Sequence, residues 1–399
     1  MPDPQTIRRL AELIVRFGAN LQPGQIVAIG TEPGKEELTR AVADVAYEQQ
    51  AKFVDLAVFD VHLKRSRVLH AAEETLDFVP PWYGERMRAL GEHRAARIAL
   101  SGPAAPHALE GLDPARVGRD MLPATREGMD LLNARSTNWT ASPAPTRAWA
   151  ELVHPGLDGE EALELLWRQI AHVCRLDEDD PVAAWTARLD ALEATAEKLS
   201  EHRLTAIRFQ GPGTDLTVGL FPSSRWHGAR MVTVDGIVHA PNIPTEEVFA
   251  TPDPARVDGV VRATKPLFVA GALVEGLRVR FEAGRAVEID ADRGADTLRA
   301  LAARDEGAAR LGEVALVDRE GRIGPLDTIF FDTLLDENAA SHIALGQGFA
   351  FTVGDADQPA VNRSQIHIDF MIGSDDIAVT GITTGGEDVP VLRDGIWQI

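Results

Sequence analysis

The 399-residue chain has one cysteine, two tyrosines and no uninterrupted apolar run of membrane-spanning length. Each shortage excludes something. With Cys174 alone, no intrachain disulfide can form and a cysteine-based zinc module is impossible, which fits a reducing cytoplasm. A membrane helix needs about 18 or more apolar residues, and no stretch comes near that. Arg8, Arg9, Glu12 and Arg16 interrupt the first twenty residues, so they do not read as a secretory leader. A soluble, cytoplasmic protein is expected. Basic residues are also scarce, 40 against 61 acidic, for a net charge of −21. A surplus of that sign repels phosphate backbones and anionic lipid, so neither nucleic acid nor a membrane is an expected partner. Common signatures are missing too. Gly211 to Leu216 lacks the third glycine of a dinucleotide fingerprint, and Gly30 to Glu36 is one residue short of a phosphate loop. No HExxH helix or GxSxG elbow occurs.

What is present is a large apolar fraction, 45%, spread over the whole length. That is enough for two domains at roughly 100–200 residues each. Ile7, Leu10, Ile14 and Phe17 recur at helical spacing up to Gly18. Strand-like runs at 26–29, 53–59 and 97–100 alternate with helical patterns at 34–50 and 84–93. Such alternation implies βαβ units and a largely parallel sheet. Turn-forming residues cluster between Asn138 and Pro145, and further helices are expected over 157–174 and around Trp185 to Leu199. After about residue 200 the pattern becomes short strands separated by turn signals such as Gly211-Pro212-Gly213 and Asp235-Gly236, which predicts antiparallel pairing. The fold class expected is therefore α/β: an N-terminal α/β domain over 1–200, and a C-terminal α+β domain, rich in antiparallel strands, over 201–399.

The second half also concentrates acidic residues and histidines inside apolar segments. In Gln365 to Phe370, strand periodicity puts His367 and Asp369 on one face and Ile366, Ile368 and Phe370 on the other. An imidazole and a carboxylate about 7 Å apart on one face can converge on a divalent ion. The same spacing also fits a simple His–Asp hydrogen bond at the surface. Asp336 through Ala344 reads as a helix beginning near Asn338, with His342 one turn inside and residue 349 on nearly the same face. Glu247 follows two prolines and precedes Val248 and Phe249, while Glu313 opens the apolar run to Val317. A carboxylate in such surroundings needs a cation or a donor, because desolvating it unpaired costs several kcal/mol. A Glu reaching water is the other reading of each. With Glu337 these groups suffice for two ions sharing one bridging carboxylate. Trp226-His227, His239 and Cys174 read as structural residues.

These segments resemble the aminopeptidase T and aminopeptidase S family of dinuclear metallo-aminopeptidases. The resemblance runs from the first helix to Trp397. It is carried by Asn138-Trp139-Thr140, Asp179 through Trp185, Phe209 through Leu216, Pro244 through Phe249, Phe331-Asp332-Thr333 and Asp336 through Ala344. It implies metal ligands at Glu247, Glu313, Glu337, His342, His367 and Asp369, with Glu313 bridging and Glu337 a ligand or proton shuttle. It implies two divalent ions, of zinc, cobalt or manganese, and removal of N-terminal residues from peptide substrates by a metal-activated water. A homodimer enclosing the catalytic chamber is expected on the same ground. One position departs from the pattern: the family carries tyrosine where this chain has Phe349. If the phenol stabilises an oxyanion, its loss costs on the order of 10²–10³ in turnover. The alternative is then a metal-binding homologue with weak or no peptidase activity, acting as a peptide-binding or structural protein.

Overall fold

The opening amphipathic segment folds as a helix, Pro4–Glu12, and continues as one wider turn, Leu13–Gly18. Asp3 caps it through the Gln5 amide and Pro4 occupies the first turn. Gly18 ends it where any Cβ would stand 2.8 Å from the Thr140 hydroxyl. The computed structural model describes residues 3–120, 122–123 and 125–399.

The first half builds a four-stranded parallel sheet in the order Phe53–Val58, Ile26–Thr31, Ala96–Ser101, Trp139–Pro143. Three of these strands were expected. The fourth corrects the reading of 138–145 as a turn cluster: Trp139 and Thr140 suit a strand, and Pro143 is tolerated as the last residue of a sheet edge. The Asn138 side chain donates to the Ala19 carbonyl at 2.7 Å, which ties this strand back to the first helix. Helices Gly159–Val173 and Pro181–Glu201 follow, each capped by an aspartate, Asp158 and Asp180.

Beyond residue 200 the pairing is antiparallel, as the turn signals predicted. Strands Arg285–Asp290, Arg278–Glu282, Pro252–Arg262, Thr214–Leu220, Leu204–Gly211, Ala378–Thr383, Asp388–Arg393 and Ile396–Trp397 form an eight-stranded sheet in that order. Gly213, at φ +75°, makes the tight turn between two of them. A second antiparallel sheet has four strands, His367–Met371, His342–Gly346, Leu311–Val317 and Glu247–Ala250. The expected fold class, parallel α/β first and antiparallel α+β after, is the one observed.

The helix expected to begin near Asn338 is not there. A short helix, Thr333–Glu337, stops at Asn338, and His342–Gly346 is a strand in the middle of the four-stranded sheet. The alternation of His342, Ala344 and Gly346 with Ile343 and Leu345 has period two, and tertiary pairing on both sides outweighs the helix preference of the alanines. Buried apolar side chains from both halves form one continuous cluster, from Leu10 and Ile98 through Phe209 to Ile343 and Phe370. Among the described residues no helix is long and apolar enough to cross a membrane.

Candidate metal centre

The four-stranded sheet presents one face rich in polar donors. Across it, Glu313 pairs with Ala344, and Ala344 with Asp369. His342 pairs with Ala315, which pairs with Phe249. Residues paired across strands share a face, as do residues two apart along a strand. Glu247, Glu313, His342, His367 and Asp369 therefore all project from the same side. The small side chain of Ala344 lies between Glu313 and Asp369 and leaves room for their carboxylates to converge. On the opposite face Val248, Val314, Leu316, Ile343, Leu345, Ile368 and Phe370 pack into the core. Glu337 reaches the same spot from the end of the short helix.

The donors meet closely. Glu247, Glu313 and His342 offer atoms within 4.8 Å of one another, as do Glu313, His367 and Asp369, and also Glu337, His342 and Asp369. His342 Nε2 is 3.0 Å from Glu247 Oε2, and His367 Nε2 is 3.0 Å from Glu313 Oε2 and 3.3 Å from Asp369 Oδ1. Yet Glu247 Oε2 and Asp369 Oδ1 are buried without an aligned hydrogen bond. Buried oxygens and imidazole nitrogens this close together could hold a shared cation. The other ring nitrogens are spoken for: His342 Nδ1 lies 3.2 Å from the Ala340 carbonyl and His367 Nδ1 lies 2.8 Å from the Gln347 carbonyl. Such contacts fix the tautomer that leaves Nε2 free to ligate. Gly312 makes the second contact possible, since a Cβ there would come within 2.2 Å of the Gln347 oxygen.

The buried groups perturb one another strongly. Burial raises the Glu313 carboxyl above its ordinary range, with Glu247 and Asp369 adding to the effect. Burial, followed by repulsion from Asp369 and Glu247, pushes Glu337 well above it. Burial opposes the charged form of His342, but Glu247, Asp369 and Glu337 together lift it to about 10. His367 is raised by Asp369 and Glu313 against the same burial, and Asp369 is lowered mainly by His367 in spite of its own burial. Without a cation, such a cluster retains protons.

Supporting residues escaped the sequence reading. Both members of the Glu246-Glu247 pair are buried. Glu246 is held by Arg175 at 3.0 Å and Arg188 at 2.5 Å, and its amide donates to Asn338 Oδ1 at 2.6 Å. Arg188 also reaches Asp318, which accepts from Trp397 Nε1 at 2.6 Å. Asp336, at the helix that delivers Glu337, accepts from the Phe330 amide at 2.8 Å, and burial raises it to about 7. A basic residue on the helix 181–201 with no acidic partner one turn away was the only sequence signal for Arg188.

The six predicted residues are thus brought together. Phe349 lies elsewhere than the helical spacing implied: it follows the His342 strand in a loop, and its ring centroid is 5.1 Å from that of His367. Neither tyrosine lines the cavity, and the Tyr47 hydroxyl accepts from the Val54 amide on the far sheet. His227 and His239 stand outside the cluster, both pulled down to about 4 by burial. Cys174 is buried in the core.

Carboxylate oxygens and imidazoles without thiolate, buried at one end of a cavity, have the donor chemistry of a divalent-metal hydrolase. The chain belongs to the M29 family of thermophilic metalloproteases, whose family model matches residues 3–397. It is 44% identical over 404 residues to aminopeptidase T of Thermus aquaticus, covering 99% of each chain. It is 36% identical to aminopeptidase 2 of Geobacillus stearothermophilus over 98% of this chain and 97% of the relative. The solved structure of wild-type AmpT from Thermus thermophilus superposes with a TM-score of 0.88 at 41% identity, covering 99% of each chain.

Proposed function

We propose that this metallopeptidase is an aminopeptidase whose centre holds two divalent ions, of zinc, cobalt or manganese, on Glu247, Glu313, Glu337, His342, His367 and Asp369. The observation that carries the reading is the convergence of three donor sets, with Glu313, His342 and Asp369 each belonging to two of them. As a carboxylate, Glu313 would be the ligand to bridge the ions. Four carboxylates balance the charge of two divalent ions, which accounts for so many acids surviving in a buried site. When bound, the ions supply an activated water and polarise the scissile carbonyl.

The chain's own residues do the rest. With the ions in place, the centre would anchor the free amine or carbonyl of the substrate, which would set the cut one residue from the N-terminus. Glu337, whose carboxyl is raised by burial, takes a proton on Oε from the attacking water and passes it to the leaving amine, the task of a general acid–base. It can also act as a ligand. The walls exclude bulk water and strengthen these interactions. We further propose that the halves 1–200 and 201–399 are its two domains, that two copies enclose the chamber as a homodimer, and that it works in the cytoplasm, where a lone buried thiol suffices.

The test is turnover of aminoacyl amides and short peptides by purified, metal-loaded protein, with N-acetylated versions as controls. Cleavage of free-amine substrates alone is expected. No cleavage above background with metal bound would replace this reading by a second one, which Phe349 motivates: a metal-binding homologue with weak or no activity, because the family's phenol is absent. In that case Phe349→Tyr should raise the rate by an order of magnitude or more.

A further inference from the structure

Just before Glu247 the chain shows two polar side chains to the cavity. Asn242 and Thr245 line it, while Ile243 turns into the core and Glu246 turns back to Arg175 and Arg188. Outside the donor cluster, these two and Trp139 are the only lining residues with a side-chain N–H, O–H or C=O. Thr245 is 2% exposed, yet no described residue forms a hydrogen bond with its hydroxyl. The partly buried Asn242 carboxamide is likewise unpaired among the described residues. Buried asparagines elsewhere have structural work: Asn138 donates to the Ala19 carbonyl at 2.7 Å and Asn362 to the Gly346 carbonyl at 2.6 Å. The backbone around the unpaired groups is nonetheless fixed. Ala141 brackets Asn242, its amide donating to the Pro241 carbonyl at 2.7 Å and its carbonyl accepting from the Ile243 amide at 2.9 Å. At the other end the Glu246 amide is held by Asn338.

Resting on the aminopeptidase reading above, we propose that Asn242 and Thr245 bind the substrate's main chain on the leaving-group side, at the peptide group that follows the scissile bond. Burying a hydroxyl without a partner is unfavourable, and a rigid segment that presents one to a cavity is set up to bond a ligand at little ordering cost. The chemistry matches. A peptide group offers one N–H donor and one C=O acceptor, and a threonine hydroxyl and a carboxamide each both donate and accept. Neither is charged, so neither draws the cation away from the acidic cluster. Position gives the direction. Thr245 stands two residues before Glu247 and Phe249 two residues after it, and all three line the cavity. Phe249 has nothing to which a main chain can bond, whereas the polar side of Glu247 does, so a peptide leaving the centre runs past Thr245 and Asn242. The two residues thereby favour true peptides, of any sequence at that position, over aminoacyl amides that end at the scissile bond.

Two measurements test this on the metal-loaded full-length chain. The first is kcat/KM for Ala-Gly-Gly-amide divided by kcat/KM for alaninamide, which lacks the second peptide group. Thr245→Val removes the hydroxyl and keeps the shape; it should lower this ratio roughly three- to tenfold, the range for one neutral hydrogen bond. Thr245→Ser should restore the ratio, and Asn242→Ala should lower it. A ratio unchanged by Thr245→Val, including an equal fall for both substrates, overturns the proposal. The second is calorimetric binding of two uncleavable analogues in which CH2 replaces the scissile carbonyl, one continuing to Gly-Gly-amide and the other ending in N-methyl. The longer should bind the parent chain at least threefold more tightly, with the margin lost in Thr245→Val. That margin in a chain that cleaves no peptide sustains the subsite and removes only the activity reading. Equal binding of the two analogues overturns the subsite whatever the rates.

Discussion

Asp332 reaches from the metal-centre half of the chain to the far sheet, where its Oδ2 accepts a hydrogen bond from the Gly102 amide at 2.8 Å. Ser101 Oγ approaches its other oxygen at 3.4 Å, and the buried Lys35 lies close enough to attract it. Just upstream, Trp149 Nε1 donates to the Phe330 carbonyl at 2.5 Å. Between these two anchors Phe331 is held at φ +55°, a conformation that a bulky residue adopts only when its surroundings impose it. The clamped turn leads directly into the helix that ends at Glu337. The first half of the chain therefore holds a residue of the proposed metal centre in place.

Asp332→Ala should leave the Gly102 amide unsatisfied and destabilise the fold by about 1–3 kcal/mol, the cost of orphaning a buried donor. If Glu337 is the proton carrier, kcat should fall on the order of 10–100-fold through its displacement, with KM changing less. Urea unfolding and steady-state kinetics measure the two effects. An unchanged kcat would detach Glu337 from this turn.

Gly312→Ala should push the Gln347 carbonyl away from the Cβ it would otherwise meet at 2.2 Å. His367 then loses the acceptor that orients its ring. Second-contact losses of this kind lower metal affinity about 10–100-fold, which titration with zinc or cobalt would report. Unaltered affinity would mean that His367 needs no such tether.

Metal loading should release protons. In the metal-free cluster His342 is lifted to about 10 by its acidic neighbours, and Glu313 and Glu337 are raised chiefly by burial. At pH 7 His342 holds a proton that a ligand must give up, and the raised carboxyls act in the same direction. Affinity should therefore strengthen as pH rises and weaken as it falls. Calorimetry in PIPES and in Tris, whose ionisation heats differ, counts the protons; identical heats in both would contradict the arrangement.

His239 is shifted in the opposite direction from His342, and the quantity it governs is stability. Buried at 3% exposure, with Nε2 unpaired, it is lowered to about 4 against an unfolded value near 6.5. Between those values the unfolded chain takes up a proton that the folded chain refuses. Its contribution is complete above about pH 6.5 and is lost as pH falls towards 4, by about 3 kcal/mol at most. His239→Gln should flatten the fall in melting temperature over that window relative to the parent chain. Parallel curves for the two proteins would place its titration elsewhere.

Much of this was legible in the sequence where a single period ruled. His367 and Asp369 share a face because every second residue does, and the alternation of Ile366, Ile368 and Phe370 left no competing pattern. Asp336 through Ala344 misled because acidic residues before a run of alanines imitate a helix start, and a real helix does precede it. Only pairing with Leu311–Val317 and His367–Met371 decides that His342 is in a strand, and pairing between distant segments leaves no local mark. The same holds for Trp139–Pro143, a strand written in turn-forming residues, and for Arg188, whose partners Glu246 and Asp318 lie 58 and 130 positions away.

The shared face of the four-stranded sheet carries a further consequence, for folding fidelity. A slip of one residue in the His342 strand would point Ile343 and Leu345 into the cavity and drive His342 into hydrocarbon. In that register the donor set is broken and cannot collect an ion. Cation binding would therefore stabilise only chains whose strands are correctly aligned, and so serve as a check on assembly as well as a route to chemistry.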